Sequence, residues 1–217
     1  MKHLSYLILF ILVIFSNCPA QARPLEGFNS GPYLYLEGGA IQVNYDRDQY
    51  SNIKHGRDFE PTLGLIFGWN IRDWIAAELE GKYGTNIKGG KREHLVGANL
   101  SCRYFFITDI LTKFKSLRIM PILRGGLAFK ISSLPGNENS TDTAVTSFGW
   151  GPSFGIGLNF LILKYLSFGI DIHEDLIFFD EVRQNLTVNG ASLPNTLIYQ
   201  GGFKPQFNAI FYIGVHY

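Results

Sequence analysis

The chain has 217 residues, of which 15% are aromatic, 24 are glycine and only 17% are charged. Helical soluble domains usually carry more charge and fewer glycines. Lys and Arg number 19 against 18 Asp and Glu, so there is no basic excess to hold a nucleic-acid backbone, and two cysteines, Cys18 and Cys102, are too few for a disulfide-stapled small domain.

Lys2 and His3 precede an apolar run from Leu4 to Phe15, which is followed by Ala20–Gln21–Ala22. A basic start, a short apolar core and a small-x-small site predict a secretory signal peptide over residues 1–22. Its apolar run is shorter than the roughly 20 residues a membrane-spanning helix needs. The remaining residues, 23–217, form one predicted domain with Cys102 as its single cysteine and no membrane-helix candidate.

From residue 31 onward, stretch after stretch alternates apolar and small or polar residues, at the ~9–11 residue length of a transmembrane β-strand. Gly31–Val43 sets Leu34, Leu36, Gly38 and Ala40 against Tyr35, Glu37 and Gly39. Pro61–Trp69 turns Leu63, Leu65, Phe67 and Trp69 outward, and Trp74–Tyr83 opposes Ile75, Ala77, Leu79 and Tyr83 to Ala76, Glu78, Glu80 and Lys82. His94–Phe105 places Gly97, Asn99, Ser101 and Arg103 inward, and Leu117–Lys130 does the same with Arg118, Met120, Arg124, Gly126 and Lys130. Phe148–Phe160 alternates large apolar residues with Gly149, Gly151, Ser153, Gly155, Gly157 and Asn159. Tyr165–Asp175 opposes Leu166, Phe168, Ile170 and Ile172 to Ser167, Gly169, Asp171 and His173. The last stretch, Phe207–Tyr217, has one wholly apolar face ending on Tyr217 and a mixed face of Asn208, Ile210, Tyr212, Gly214 and His216.

The predicted fold is all-β: an eight-stranded antiparallel up-and-down transmembrane barrel, with lipid on the apolar face and a filled interior. Connections alternate long and short, with Asn44–Glu60, Ile131–Ser147 and Leu176–Pro205 long and Asn70–Asp73 and Leu161–Lys164 short. That rhythm fits long external loops, short periplasmic turns and both termini in the periplasm. Gly84–Glu93 and Phe106–Ser116 are intermediate, and Ile107, Ile110, Leu111 and Phe114 have the spacing of a short amphipathic helix. Leu176–Pro205 carries a turn signal at Val188–Asn189–Gly190–Ala191, so its halves are expected to rise as a hairpin that could accept a partner strand. Pro121 and Pro152 conflict with a closed ladder unless they lie at bulges or a rim.

Trp69, Trp74, Tyr104, Phe160, Tyr165 and Tyr217 fall near the predicted periplasmic ends and would form an aromatic girdle. Phe207–Tyr217, the glycine-rich Phe148–Phe160 and Pro121–Phe129 together resemble the small outer-membrane β-barrel family, of the OmpA/OmpX type. The resemblance implies a location in the outer membrane of Gram-negative bacteria, contact with its lipid and lipopolysaccharide, and recognition of the strand ending at Tyr217 by the barrel-assembly machinery. It also implies a monomer.

Inside such a barrel, Glu37, Glu78, Glu80 and Asp171 face Lys82, Arg103, Arg118, Arg124 and Lys130. Buried charges are tolerated only when paired, so a structural ion network that plugs the lumen is expected, with His173 beside it. Asp171, His173 and Asp175 share the inward face, and a histidine flanked by carboxylates can act as a base or bind metal. Barrels that modify lipid A use a histidine and a serine on the wall, yet no serine sits two residues from His173 on its face and Ser167 lies too far along the strand. No second histidine has metal-ligand spacing near His173, and Gly84–Arg92 lacks phosphate-loop spacing, so no catalysis, cofactor or metal is expected. The expected role is structural or surface-interacting. The rivals are a small channel for ions or hydrophobic compounds, a lipid-modifying enzyme, and a soluble lipocalin-like binder, which would put the Leu63–Trp69 odd face inside.

Overall fold

A computed structural model describes residues 31–45, 56–88, 91–106, 117–134, 145–162, 166–188, 191–199 and 201–217. The expected signal peptide, the Ile107–Phe114 helix and Tyr165 lie outside them. The chain forms ten strands: β1 (Gly31–Tyr45), β2 (Gly56–Arg72), β3 (Ile75–Lys88), β4 (Lys91–Phe105), β5 (Leu117–Leu134), β6 (Val145–Ile162), β7 (Leu166–Phe179), β8 (Val182–Val188), β9 (Ala191–Tyr199) and β10 (Gly202–His216). Eight of them close a barrel in the order β1-β2-β3-β4-β5-β6-β7-β10, every neighbour antiparallel. The seam pairs β1 with β10 from Tyr33↔His216 to Ile41↔Asn208, and Tyr217 N–H donates to the Pro32 carbonyl at 3.0 Å. Closure gives the backbone donors and acceptors of each strand a partner, which hydrocarbon requires because it offers no water to replace them.

Alternation sorts the side chains cleanly. Leu63, Leu65, Phe67 and Trp69 are more than half exposed on the outside, while Ile66 and Glu80 are buried within. A lipocalin-like binder would have the reverse arrangement. Aromatics mark the exterior at two levels. Phe160 and Phe168 lie two residues from the ends of β6 and β7 on the side of the chain termini, the periplasmic end in the expected orientation, whereas Phe129, Trp150 and Phe178 lie twelve residues from that end of their strands. Ten residues at about 3.3 Å each, tilted by about 40°, rise by about 25 Å, the height of an outer-membrane apolar band.

The strands run further outward than the hydrophobic pattern does. Gly84–Glu93 is not a medium loop: β3 and β4 keep pairing to Lys88↔Lys91. Asn44–Glu60 and Ile131–Ser147 likewise give residues to strands at both ends, with pairs as far as Tyr45↔Gly56 and Leu134↔Val145. Beyond the apolar band a strand needs no apolar face, so alternation fades although the ladder continues. In Leu176–Pro205, β7 and β10 lengthen to Phe179 and Gly202, and β8 and β9 form a separate two-stranded sheet. Gly202 has φ +125°, a conformation that lets the chain re-enter the barrel wall and that other residues rarely adopt.

Both prolines find places where no donor is needed. The Pro121 carbonyl accepts from Phe106 N–H at 2.8 Å, just past the last β4–β5 pair, Phe105↔Ile122. Its ring nitrogen therefore faces the frayed end of β4. Pro152 sits in a lapse of the β6–β7 ladder, between Trp150↔Phe178 and Ser153↔Asp175, with the register unchanged across it.

Candidate functional site

Neighbouring strands fill the interior with a belt of charge. Glu37, Glu60, Glu78, Glu80, Asp171 and Asp175 are buried with Lys82, Arg103, Arg124, Lys130 and Lys204, each at most 4% exposed. Arg103 and Arg124 are direct cross-strand partners on β4 and β5, a repulsive pairing that Glu78 and Glu80 on β3 offset. Glu78 Oε1 lies 2.9 Å from Arg103 Nε and accepts from the Tyr33 hydroxyl at 2.6 Å. Glu80 pairs with Arg124, with Lys82 Nζ at 2.5 Å and with Asn99 Nδ2 at 3.3 Å. The Arg124 Nε also donates to Ser101 Oγ at 3.0 Å. Such satisfaction is what makes buried charge tolerable, since an isolated ion costs several kcal/mol to desolvate.

The carboxylate–histidine group completes this belt. His173 Nδ1 lies 2.7 Å from Asp171 Oδ1, and its Nε2 lies 3.1 Å from Lys82 Nζ. Asp175 turns instead to Lys130 Nζ at 2.7 Å, and Asn208 Nδ2 donates to it at 3.0 Å. Lys130 Nζ donates to Gln206 Oε1 at 2.6 Å. The Lys82 ammonium thus lies against the second nitrogen of His173, with Asp175 Oδ1 3.9 Å away. Glu37 is buried in the same belt, across from Gly64 on β2.

Apolar residues flank the belt toward both ends. Tyr33, Tyr35, Ile66, Ala76, Phe105, Met120, Ile122, Leu161 and Tyr212 pack on the periplasmic side, with the Arg103 guanidinium 4.8 Å from the Tyr212 ring centre. Ile41, Leu95, Ala128, Ile177 and Phe179 pack on the outer side, with Val182 against them. Both clusters are buried from solvent.

One arrangement went unread in the sequence. His216 Nε2 lies 2.9 Å from both Ser167 Oγ and the Tyr35 hydroxyl, and its Nδ1 lies 3.4 Å from Asn70 Nδ2. Alternation places His216 and Ser167 inward, but only the β7–β10 pairing Ser167↔Gly214 brings them together. Serine, histidine and an orienting amide have the outline of an activated nucleophile. Ser167 is nevertheless fully buried, and the Tyr35 hydroxyl competes for the nitrogen that would take its proton. The group ties β1, β2, β7 and β10 together at the seam. A fluorophosphonate probe is expected to leave Ser167 unmodified in the membrane-inserted protein, as read by peptide mass; an adduct on Ser167 would show a working nucleophile.

On the outside, Trp69, Trp74 and Tyr104 are exposed near the periplasmic ends, with Trp74 and Tyr104 rings 5.5 Å apart. Phe160 stacks on Phe168 at 4.8 Å, and Tyr217 is exposed at the chain end. Cys102 is exposed on the same outer surface.

No protein-family model matches the chain, and no curated protein does. Solved structures do. Neisserial surface protein A is matched over 87% of this chain and 98% of its own, with a TM-score of 0.55 and 13% identity. The outer membrane protein OprG from Pseudomonas aeruginosa is matched over 88% of this chain and 96% of its own, with a TM-score of 0.50 and 13% identity. The chain has the fold of the small outer-membrane β-barrels. In this barrel the inward charges, the outward apolar band and the two aromatic levels all follow from that closure.

Proposed function

We propose that this barrel resides in the outer membrane of a Gram-negative cell as a closed, non-conducting and non-catalytic protein, with recognition carried by its external strand extensions and loops. The observation that supports this reading is the dry interior, where paired charges lie between two apolar clusters. Glu78, Glu80, Asp171 and Asp175 pair with Lys82, Arg103, Arg124, Lys130 and His173 across the interior, which leaves the outer end to meet other molecules. The β8–β9 sheet there is not hydrogen-bonded into the barrel ladder, although Val182 at its base packs against the outer apolar cluster. Lipid and lipopolysaccharide are the partners proposed for the apolar band, and the barrel-assembly machinery is the partner proposed for the strand ending at Tyr217.

Reconstitution in planar bilayers tests the reading. Discrete current steps are expected to be absent at moderate voltage, whereas stable open-channel currents comparable to those of large porins would favour the channel. Migration that changes on boiling shows in the same sample that the barrel is folded, so a silent bilayer cannot be blamed on misfolding.

A further inference from the structure

Glu174 points the wrong way for a charge. It lies on the outer face of β7, between Ile172 and Leu176 along the strand, and its cross-strand partners are Phe154 and Phe207. It is exposed, and none of these neighbours can pair with it. Eight residues separate it from Leu166, against twelve for Phe178 in the outer aromatic level. At about 3.3 Å per residue and about 40° of tilt, it lies about 10 Å beneath that level, inside the hydrocarbon. Among the described residues it is the only charged side chain on the outer surface between the two aromatic levels. An ionisable group at that depth is costly unless something pairs with it.

The opposite wall supplies the complement. β3 stands four strands from β7 around the barrel. Tyr83, eight residues from the periplasmic end of β3, faces outward at the depth of Glu174. Its hydroxyl lies 2.5 Å from Nδ1 of His94 on the neighbouring β4. With the hydroxyl donating to Nδ1, the Nε2–H of the partly exposed His94 is left as a donor. Below this pair, Gly81 is matched with Ala98, and a Cβ on Gly81 would meet nothing within 4 Å. Phenylalanines flank the acid, and a shallow notch of small residues adjoins the donor. Small residues let membrane-embedded surfaces approach closely, and polar groups join them.

We infer that Glu174 of one copy of this chain docks on the Tyr83–His94 pair of a second copy, so that barrels associate side by side, head to tail, in the membrane. The inference rests on the membrane-spanning reading, since only a shared bilayer fixes both copies at one depth. Donor and acceptor lie on opposite walls, so the contact is heterologous and propagates as a row rather than stopping at a pair.

Cysteine cross-linking in proteoliposomes tests this. In a Cys18→Ala, Cys102→Ala background, Leu176→Cys lies beside the acid and Val96→Cys beside the donor pair. Mixing the two single-cysteine proteins with a short bismaleimide is expected to give the mixed dimer in excess over either like pair. A chain carrying both cysteines is expected to give a ladder of trimers and higher forms. Adding Glu174→Ala should lower the mixed-dimer yield about threefold, the weight of one intramembrane hydrogen bond. Like-pair dimers, products that stop at the dimer, yields indifferent to Glu174, or no product above random collision, as expected if Glu174 contacts only lipid, would each overturn the inference. Heat-dependent migration of every variant separates loss of docking from loss of the inserted barrel.

Discussion

Replacing Glu80 with alanine is expected to destabilise the folded barrel by about 3–5 kcal/mol, the cost of removing one partner from a buried ion network. Glu80 is fully buried and bridges Arg124, Lys82 and Asn99. Without it, Lys82 keeps, among the described residues, the His173 nitrogen at 3.1 Å and the Asn208 oxygen at 3.4 Å. Arg124 keeps the Glu78 carboxylate at 3.8 Å and the Ser101 hydroxyl. Two cations would then share too little negative charge in a place that water does not reach. The denaturation midpoint of the compact, unboiled band measures the effect. Replacing Glu80, Lys82 and Arg124 together by methionine is expected to cost much less, because desolvation and attraction vanish together. If Glu80→Ala instead costs under about 1 kcal/mol, as for a solvent-exposed pair, water has access to the belt and the closed lumen is wrong.

The same residues show what the sequence could and could not say. Inward and outward faces were legible on all eight barrel strands, because alternation is local and lipid enforces it strongly. Glu80 and Lys82 were visibly inward. Their partners were not, because Lys82 meets His173 across 91 residues and Tyr33 meets Glu78 across 45. Such contacts depend on strand order and on how far side chains reach across a lumen, neither of which leaves a periodic trace. Strand ends were misjudged for the opposite reason: Thr85–Lys88 and Lys91–Glu93 continue the ladder where the lipid constraint has ended. Glu174 was hidden by company, one acid among apolar neighbours on a face that otherwise alternates perfectly. Pro152 looked like a contradiction until the lapse between Trp150↔Phe178 and Ser153↔Asp175 gave it a place.

Barrel closure at the C-terminal strand gives the second large effect. Replacing Gly214 with valine is expected to cost about 3 kcal/mol, the upper end of overpacking. Gly214 pairs with Tyr35 on β1 and Ser167 on β7, so it belongs to the seam where the two ends of the chain meet. A Cβ there would run into the Leu34 carbonyl oxygen and lie 2.6 Å from the Tyr35 Cα. Neither atom can move aside alone, because both belong to the β1 backbone, which is held by β2 on its other edge. Relief would require β1 and β10 to separate locally, and an opened seam exposes unpaired backbone to hydrocarbon. Gly81→Val provides the control. Gly81 faces outward with nothing within 4 Å of a Cβ, and a β-branched residue suits an exposed strand position. There the same substitution should be neutral or slightly stabilising in proteoliposomes dilute enough to hold one barrel per vesicle. Unboiled gel migration after refolding into lipid reads both, and a Gly214→Val protein that closes as fully and as stably as Gly81→Val would show that β1 and β10 are not packed as tightly as this seam requires.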